Sequence, residues 1–210
     1  MDELEAYMLD HIDREPELLK QIHRVSNVRL LHGFMVCGHL QGRLLKMLVQ
    51  MIRPKRVIEI GTYTGYSALS MAEGMEEDAQ LHTIEINDEL EAMIRRHLSR
   101  SPHGKKIRLY IGDAATIVPC FEDASFDMAF MDGDKRNYWA DYEALLPKIR
   151  PGGFILADDT LWHGKLWEEV AGNDRMTKGI IEFNEQLKSD SRVEKVMVPV
   201  RDGLTLIRKK

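Results

Sequence analysis

Five short apolar runs set at a regular interval constrain this 210-residue chain more than any other feature. Val57–Ile60, Leu81–Ile86, Ile107–Ile111, Phe126–Met131 and Phe154–Ala157 follow one another at ~20–28 residues, the length of a strand–helix–strand unit. Repeated units of that kind predict a parallel sheet wound with helices on both faces. The ending differs. Val193–Val200 and Leu204–Ile207 flank Arg201-Asp202-Gly203, a tight turn, so the last two strands should form an antiparallel hairpin. The expected fold class is α/β: a doubly wound, seven-stranded sheet of five parallel strands plus a C-terminal antiparallel hairpin, with N-terminal helices added.

The N-terminal helices follow from apolar spacing. Leu4, Tyr7, Met8 and His11 recur at helical intervals, and Pro16 restarts a segment carrying Leu18, Leu19, Ile22 and Val25. Leu44, Leu45, Leu48, Met51 and Ile52 form a third stripe that ends at Pro54. Between these stripes, His32 to Gly42 holds Gly33, Gly38 and Gly42 and reads as a loop running into a helix start. No repeat, low-complexity tract or linker interrupts the chain. It is read as one domain, 1–210, divided into a helical segment 1–53 and an α/β core 54–210.

Composition narrows the class. With 44% hydrophobic and 30% charged residues the chain suits a compact soluble protein large enough to bury a core without staples. A net charge of −5 disfavours gripping polyphosphate by a bulk positive field. Cys37 and Cys120 are too few for a disulfide scaffold and read as packing thiols. Met1 to Arg14 has neither a basic start nor an uninterrupted apolar stretch, so no signal peptide is expected there. No window approaches the ~18–20 apolar residues of a membrane span. The expected location is a reducing cytoplasm.

In an open α/β sheet ligands bind outside the carboxyl ends of the parallel strands, so the residues following each run carry the functional reading. After the first run, Gly61-Thr62-Tyr63-Thr64-Gly65 leads into a helix opened by Tyr66 and Ser67, whose amides suit a carboxylate or phosphate. The two glycines stand four apart, which is not the dinucleotide fingerprint. Glu85 follows the second run where an acid for a sugar diol is expected, and equally suits a helix N-terminus. Asp113, in Gly112-Asp113-Ala114, suits an adenine amino group or a helix cap. The fourth and fifth runs end in Asp132-Gly133-Asp134-Lys135 and Asp158-Asp159. Adjacent strand ends would bring Asp132, Asp158 and Asp159 together as like charges, which calls for a hard divalent cation between them. Mg²⁺ fits that oxygen set first, with Mn²⁺ or Ca²⁺ as alternatives; the bland alternative is solvated loop charges and caps.

These stretches, with Val57-Ile58-Glu59-Ile60-Gly61, Ile84-Glu85-Ile86-Asn87, Arg150-Pro151-Gly152-Gly153 and Val198-Pro199-Val200-Arg201-Asp202-Gly203-Leu204, resemble the class I S-adenosylmethionine-dependent, cation-dependent O-methyltransferases of the caffeoyl-CoA and catechol type. The resemblance runs from about residue 35 to the C-terminus and implies a Rossmann-like fold. It implies a donor site in which Glu59 faces the methionine ammonium, Ser67 and its helix N-terminus hold the carboxylate, Glu85 takes the ribose, and Asp113 and Ala114 lie by the adenine. Gly61, Tyr63, Gly65 and Asp132 would line that site, together with Met35 to Gly38 from the stretch before the sheet. Asp132, Asp158 and Asp159 fall on the family's metal ligands, and Lys135 falls on its general base. The family usually has Asn where this chain has Asp159, and the extra charge should hold a cation more tightly while reducing its Lewis acidity.

The implied reaction is methyl transfer from S-adenosylmethionine to a hydroxyl of a small, vicinal dihydroxy aromatic substrate with metal assistance. His32 to Met35 and Trp162-His163-Gly164 are the expected pocket walls, whereas Tyr138 and Trp139 read as helix packing residues. Lys135 can accept a proton only when neutral, and it could instead simply pair with Asp132 or Asp134. A homodimer built through the N-terminal helices is expected on resemblance alone. Two other readings compete. One is methylation of a hydroxylated nucleoside in RNA, favoured by the basic strip Arg95, Arg96, Arg100, Lys105 and Lys106 and opposed by the net charge. The other is a donor-binding module without catalysis, which would need neither the three acids nor Lys135.

Overall fold

The computed structural model describes residues 3–210; the first two positions of the Met1–Arg14 stretch lie outside the described residues. Helices α1 (Glu3–Asp10), α2 (Glu17–Arg29) and α3 (His39–Ile52) precede the sheet. The alternating part follows as β1 (Arg56–Ile60), α4 (Tyr66–Gly74), β2 (Gln80–Glu85), α5 (Glu91–Ser99), β3 (Ile107–Ile111), α6 (Ala114–Ile117), β4 (Phe126–Met131), α7 (Tyr138–Lys148), β5 (Ile149–Ala157) and α8 (Arg175–Ser189). The hairpin β6 (Val193–Val198) and β7 (Leu204–Lys209) closes the chain.

The seven strands lie in the order β3-β2-β1-β4-β5-β7-β6. The first five are parallel to one another, and β7 runs antiparallel between β5 and β6. The expected architecture is therefore the observed one. Because helices cover both faces, the central strands are buried over nearly their whole length and read as apolar runs broken only by Glu59 in β1 and Asp127 in β4. One face packs Ile22, Leu45, Val49, Leu69 and Met71 against Val57, Leu81 and Phe130. The other packs Tyr138, Tyr142, Ile180 and Phe183 against Ile58, Ala129 and Ile155. On α8, Ile180, Phe183 and Leu187 repeat at helical spacing, and Asp174 caps the helix by accepting from the Thr177 amide at 3.0 Å.

Three expectations need correction. Helix α3 begins at His39, so Gln41 and Gly42 belong to the helix and not to the preceding loop. Gly42 serves close packing: a Cβ there would stand 2.8 Å from both Ser70 Oγ and Tyr66 Cε1. Strand β5 starts at Ile149, five residues before its continuous apolar run, because Ile149 pairs with Phe126 before the register shifts near Met128. Cys37 is a buried thiol as expected, but Cys120 is exposed and packs nothing away from water.

Register explains why the strand-end residues meet. Ile60, Met131 and Ala157 are aligned across β1, β4 and β5. One residue further, the Asp132 amide donates to Ile60 O at 2.9 Å and the Asp158 amide to Met131 O at 3.0 Å. The ladder thus continues past the strands and sets Asp132 beside Asp158. The chain order reverses between β1 and β4, which is the topological switch point where such sheets bind ligands.

Candidate active site

A cleft at this switch point is lined by Met35, Val36 and Cys37 from the stretch before α3, by Gly61 to Thr64 with Tyr66 and Ser67 from the β1–α4 turn, and by Asp132. Gly61 has φ 96°, and a Cβ there would lie 2.3 Å from the Asp132 carbonyl oxygen. Only glycine meets both demands, the left-handed backbone and the close approach of β4. Gly65 is the residue capping α4, whose first turn carries Tyr66 and Ser67 at the cleft.

Glu59 is fully buried beneath the cleft. Its carboxylate accepts from Ser67 Oγ at 2.6 Å and from Thr83 Oγ1 at 2.5 Å, and Thr83 is its register partner on β2. Burial pushes the Glu59 carboxyl up to about 7, with the two hydroxyl donors pulling the other way. Ser67 thus spends its hydroxyl on Glu59. Glu85 accepts from the Tyr63 amide at 2.6 Å and the Asn87 amide at 2.9 Å, and burial raises its carboxyl. Asp113 caps α6 by accepting from the Ala115 amide at 2.9 Å and is exposed beside Ala114, so the cap reading of this residue is realised.

The acids of the fourth and fifth strands gather on the other side of Asp132. Lys135 is buried, with Nζ 2.7 Å from Asp132 Oδ1 and 3.1 Å from Asp159 Oδ2. Burial works against its charge, but Asp132 above all, with Asp159 and Asp158, outweighs that and holds the ammonium well above the ordinary lysine value. Lys135 is thus neither a surface charge nor a partner of Asp134, which pairs with Arg136. The Tyr138 hydroxyl lies 2.6 Å from the carbonyl oxygens of Met131 and Asp158 and ties the two strand ends together. Tyr138 is fully buried and Trp139 stacks near Tyr142, as packing residues do.

Asp158 is buried, with Oδ2 held by Gln41 Nε2 at 2.5 Å and Oδ1 without any hydrogen-bond partner. Burial, then Asp132 and Asp159, pushes its carboxyl up to about 8, and burial likewise brings Asp132 up to about 6. Ligand atoms of Cys37, Asp132 and Asp158 all lie within 4.8 Å of one another. Asp159, in left-handed backbone at φ 57°, turns its carboxylate to Lys135 instead of joining that group. The buried Asp158 with its orphaned carboxylate oxygen, beside the half-buried Asp132, forms a site short of positive charge, which suits a dication with oxygen ligands.

Gln41 and Arg201 were not singled out from the sequence as site residues, whereas Cys37 falls in the stretch from Met35 to Gly38 expected to line the donor site and does so. Gln41 carried a signal: with Leu45 and Val49 it falls at i, i+4, i+8 on the buried face of α3, where a polar side chain demands a partner. Arg201 reaches the site only through tertiary packing. Among the expected walls, Phe34 and Met35 are exposed, Trp162 donates to Thr177 Oγ1 at 2.8 Å, and His163 lies 2.9 Å from Asp202. Part of the basic strip is neutralised or buried: Lys106 lies against the carbonyls of Met75 and Ala72, Arg95 pairs with Glu91, and Lys105 pairs with Glu77, while Arg96 and Arg100 stay exposed.

A cleft lined by a glycine turn and an acid at the switch point of a doubly wound sheet is a ligand-binding position, and comparison with known proteins assigns the family. A family profile described as O-methyltransferase matches residues 9–210. Caffeoyl-CoA O-methyltransferase 2 of Zea mays is 34% identical over 223 residues, covering 99% of this chain and 83% of that protein. The SAH-bound methyltransferase PaMTH1 of Podospora anserina superposes with a TM-score of 0.88 at 26% identity, over 99% of this chain and 94% of that one. The O-methyltransferase of Bacillus cereus in complex with SAH gives a TM-score of 0.89 at 25% identity, over 99% and 97%. The chain belongs to the O-methyltransferase family.

Proposed function

We propose that the chain transfers the methyl group of S-adenosylmethionine to one hydroxyl of a small vicinal dihydroxy aromatic, with a divalent cation held by Asp132 and Asp158, and by Asp159 once its carboxylate turns from Lys135 to the ion. The observation that carries this reading is the adjacency of the donor cleft and the acid cluster, which share Asp132. Glu59 pairs with the donor's ammonium, the α4 N-terminus takes its carboxylate, Glu85 takes the ribose hydroxyls, and Asp113 and Ala114 border the adenine. Neighbours bound to SAH support the donor half, and relatives named as caffeoyl-CoA O-methyltransferases support transfer to an oxygen.

Transfer is an in-line displacement: the acceptor oxygen bonds to the methyl carbon, the sulfur–methyl bond breaks, and its electron pair stays on sulfur to leave the thioether. Holding oxygen and methyl about 3 Å apart and aligned supplies much of the rate. A phenol has a pKa of ~10, and a bound Mg²⁺ or similar hard dication would supply the Lewis acidity that favours its ionised form. The fit rests on the unpartnered Asp158 Oδ1 and the raised carboxyls of Asp132 and Asp158. Lys135 Nζ, at the edge of the same cluster, is held as an ammonium by Asp132 and its neighbours; with those carboxylates offset by a dication, the ammonium can release its proton to solvent and Nζ can then take the hydroxyl proton.

The protein is assigned to the cytoplasm; among the described residues no helix is long and apolar enough to cross a membrane. It pairs as a homodimer through its N-terminal helices, a reading supported by the exposed Leu4 and Tyr7 of α1, Val28 of α2 and Met51 of α3. Assay of labelled methyl transfer to a panel of catechols and to total RNA tests the substrate class. Product on catechols alone supports the reading; product on RNA alone replaces it with nucleoside methylation.

A further inference from the structure

Both ends of the Gln41 amide are engaged in a place closed to water. Gln41 is 2% exposed; Nε2 donates to Asp158 Oδ2 at 2.5 Å and Oε1 accepts from Arg201 Nη1 at 2.8 Å. The orientation is unambiguous, because exchanging oxygen and nitrogen would set oxygen against a carboxylate and NH₂ against a guanidinium. Arg201 comes from the turn between β6 and β7, and the same Nη1 donates to the carbonyls of Cys37 and, at 3.3 Å, Val36. The loop before α3, the first turn of α3, the end of β5 and the C-terminal hairpin therefore meet at one carboxylate.

The residue types matter. A carboxylate on a single Cβ–Cγ bond can present either oxygen, and fixing it needs a donor on one of them. A lysine or arginine in direct contact would fix Asp158 but neutralise it, and an acid would repel it. A glutamine amide donates without altering the charge. Arg201 locks that amide from behind, with its charge placed on carbonyl oxygens and not on the carboxylate.

We propose that Gln41, locked by Arg201, is the positioning residue for Asp158, occupying Oδ2 so that the buried, unpartnered Oδ1 is the oxygen offered to the cation. The inference rests on the cation reading given above. Arg201 has a second duty, since the carbonyls it holds belong to Val36 and Cys37, which line the donor cleft. The two residues thus have different signatures. Loss of Gln41 should affect the cation alone, and loss of Arg201 should affect cation and donor together.

The test is equilibrium binding without turnover: Mn²⁺ by electron paramagnetic resonance and adenosylhomocysteine by calorimetry, in wild type, Gln41→Leu and Arg201→Met. Gln41→Leu should weaken Mn²⁺ binding roughly 10–100-fold, as loss of a group that orients a ligand does, with adenosylhomocysteine affinity unchanged. Arg201→Met should weaken both. Unchanged Mn²⁺ affinity in Gln41→Leu, or equal losses of Mn²⁺ and adenosylhomocysteine binding in that variant, would overturn the assignment. If Gln41→Leu does not fold, Arg201→Met decides from an exposed turn, and unchanged Mn²⁺ affinity there overturns it. A wild type that takes up no Mn²⁺ removes the cation reading and this inference with it. Uptake by wild type with no change in the variants removes this inference alone.

Discussion

Lys135 and Asp159 form an ion pair in which the buried Nζ lies 3.1 Å from Oδ2 of the half-buried Asp159, at the position where the family resemblance implies Asn. The pair links the family's proposed base to its proposed ligand, so the Asp-for-Asn difference bears on both. Asp159→Asn keeps one oxygen but removes a charge. Metal demand should rise, on the order of tenfold, while turnover at saturating metal stays level or increases. Titrating Mg²⁺ against initial rate checks this, and an unmoved titration would show that Asp159 serves Lys135 and not the cation.

Lys135→Met removes the proton acceptor while sparing the carboxylates. The rate should fall by roughly 10²–10⁴-fold, the usual contribution of a positioned base, with metal affinity nearly intact. Rates followed from pH 6 to 9 are the check. Near wild-type turnover across that range would take the proton-transfer role away from Lys135.

The architecture and most of the candidate site were legible in the sequence because both depend on local pattern. Apolar runs buried on two faces announce the parallel strands, and ligand positions follow from the residue after each strand. Cross-strand consequences were not legible. That Thr83 donates to Glu59 needs the β1–β2 register, and that Gln41 meets Asp158 needs the crossing of α3 over the sheet ends. The three-glycine stretch misled at Gly42, where small size answers to Tyr66 and Ser70 across a helix contact and not to a turn.

Glu59 links stability to pH. Its carboxyl is raised from 4.5 to about 7 by burial, so between those values the native state holds a proton that the unfolded chain has released. Stability from this group is therefore greatest below pH 4.5 and falls as pH rises toward 7, a loss of about 3 kcal/mol. Glu59→Gln should narrow the drop in Tm between pH 5 and 8 by on the order of 5–10 °C. A calorimetric scan of both proteins at both pH values checks it; equal drops would mean Glu59 is ionised throughout.

The same titration should appear in donor binding. With Glu59 as the partner of the ammonium, adenosylhomocysteine should bind more tightly at pH 8 than at pH 5, with micromolar-range affinity near −8 kcal/mol, roughly, at the higher value. Glu59→Gln should flatten that dependence and Glu85→Ala should weaken binding at both pH values. Equal affinity for wild type and Glu85→Ala would remove Glu85 from the donor site.

The joint dependence of transfer on the acid cluster and a cation is the centre of the account, and chelation followed by restoration tests it most directly. Initial rates of methyl transfer to a vicinal diol should vanish after exhaustive chelation and return with added Mg²⁺ or Mn²⁺. Restoration should fail in Asp158→Ala. Full activity after chelation would contradict the account, leaving Asp132, Asp158 and Asp159 as structural charges and the transfer independent of metal.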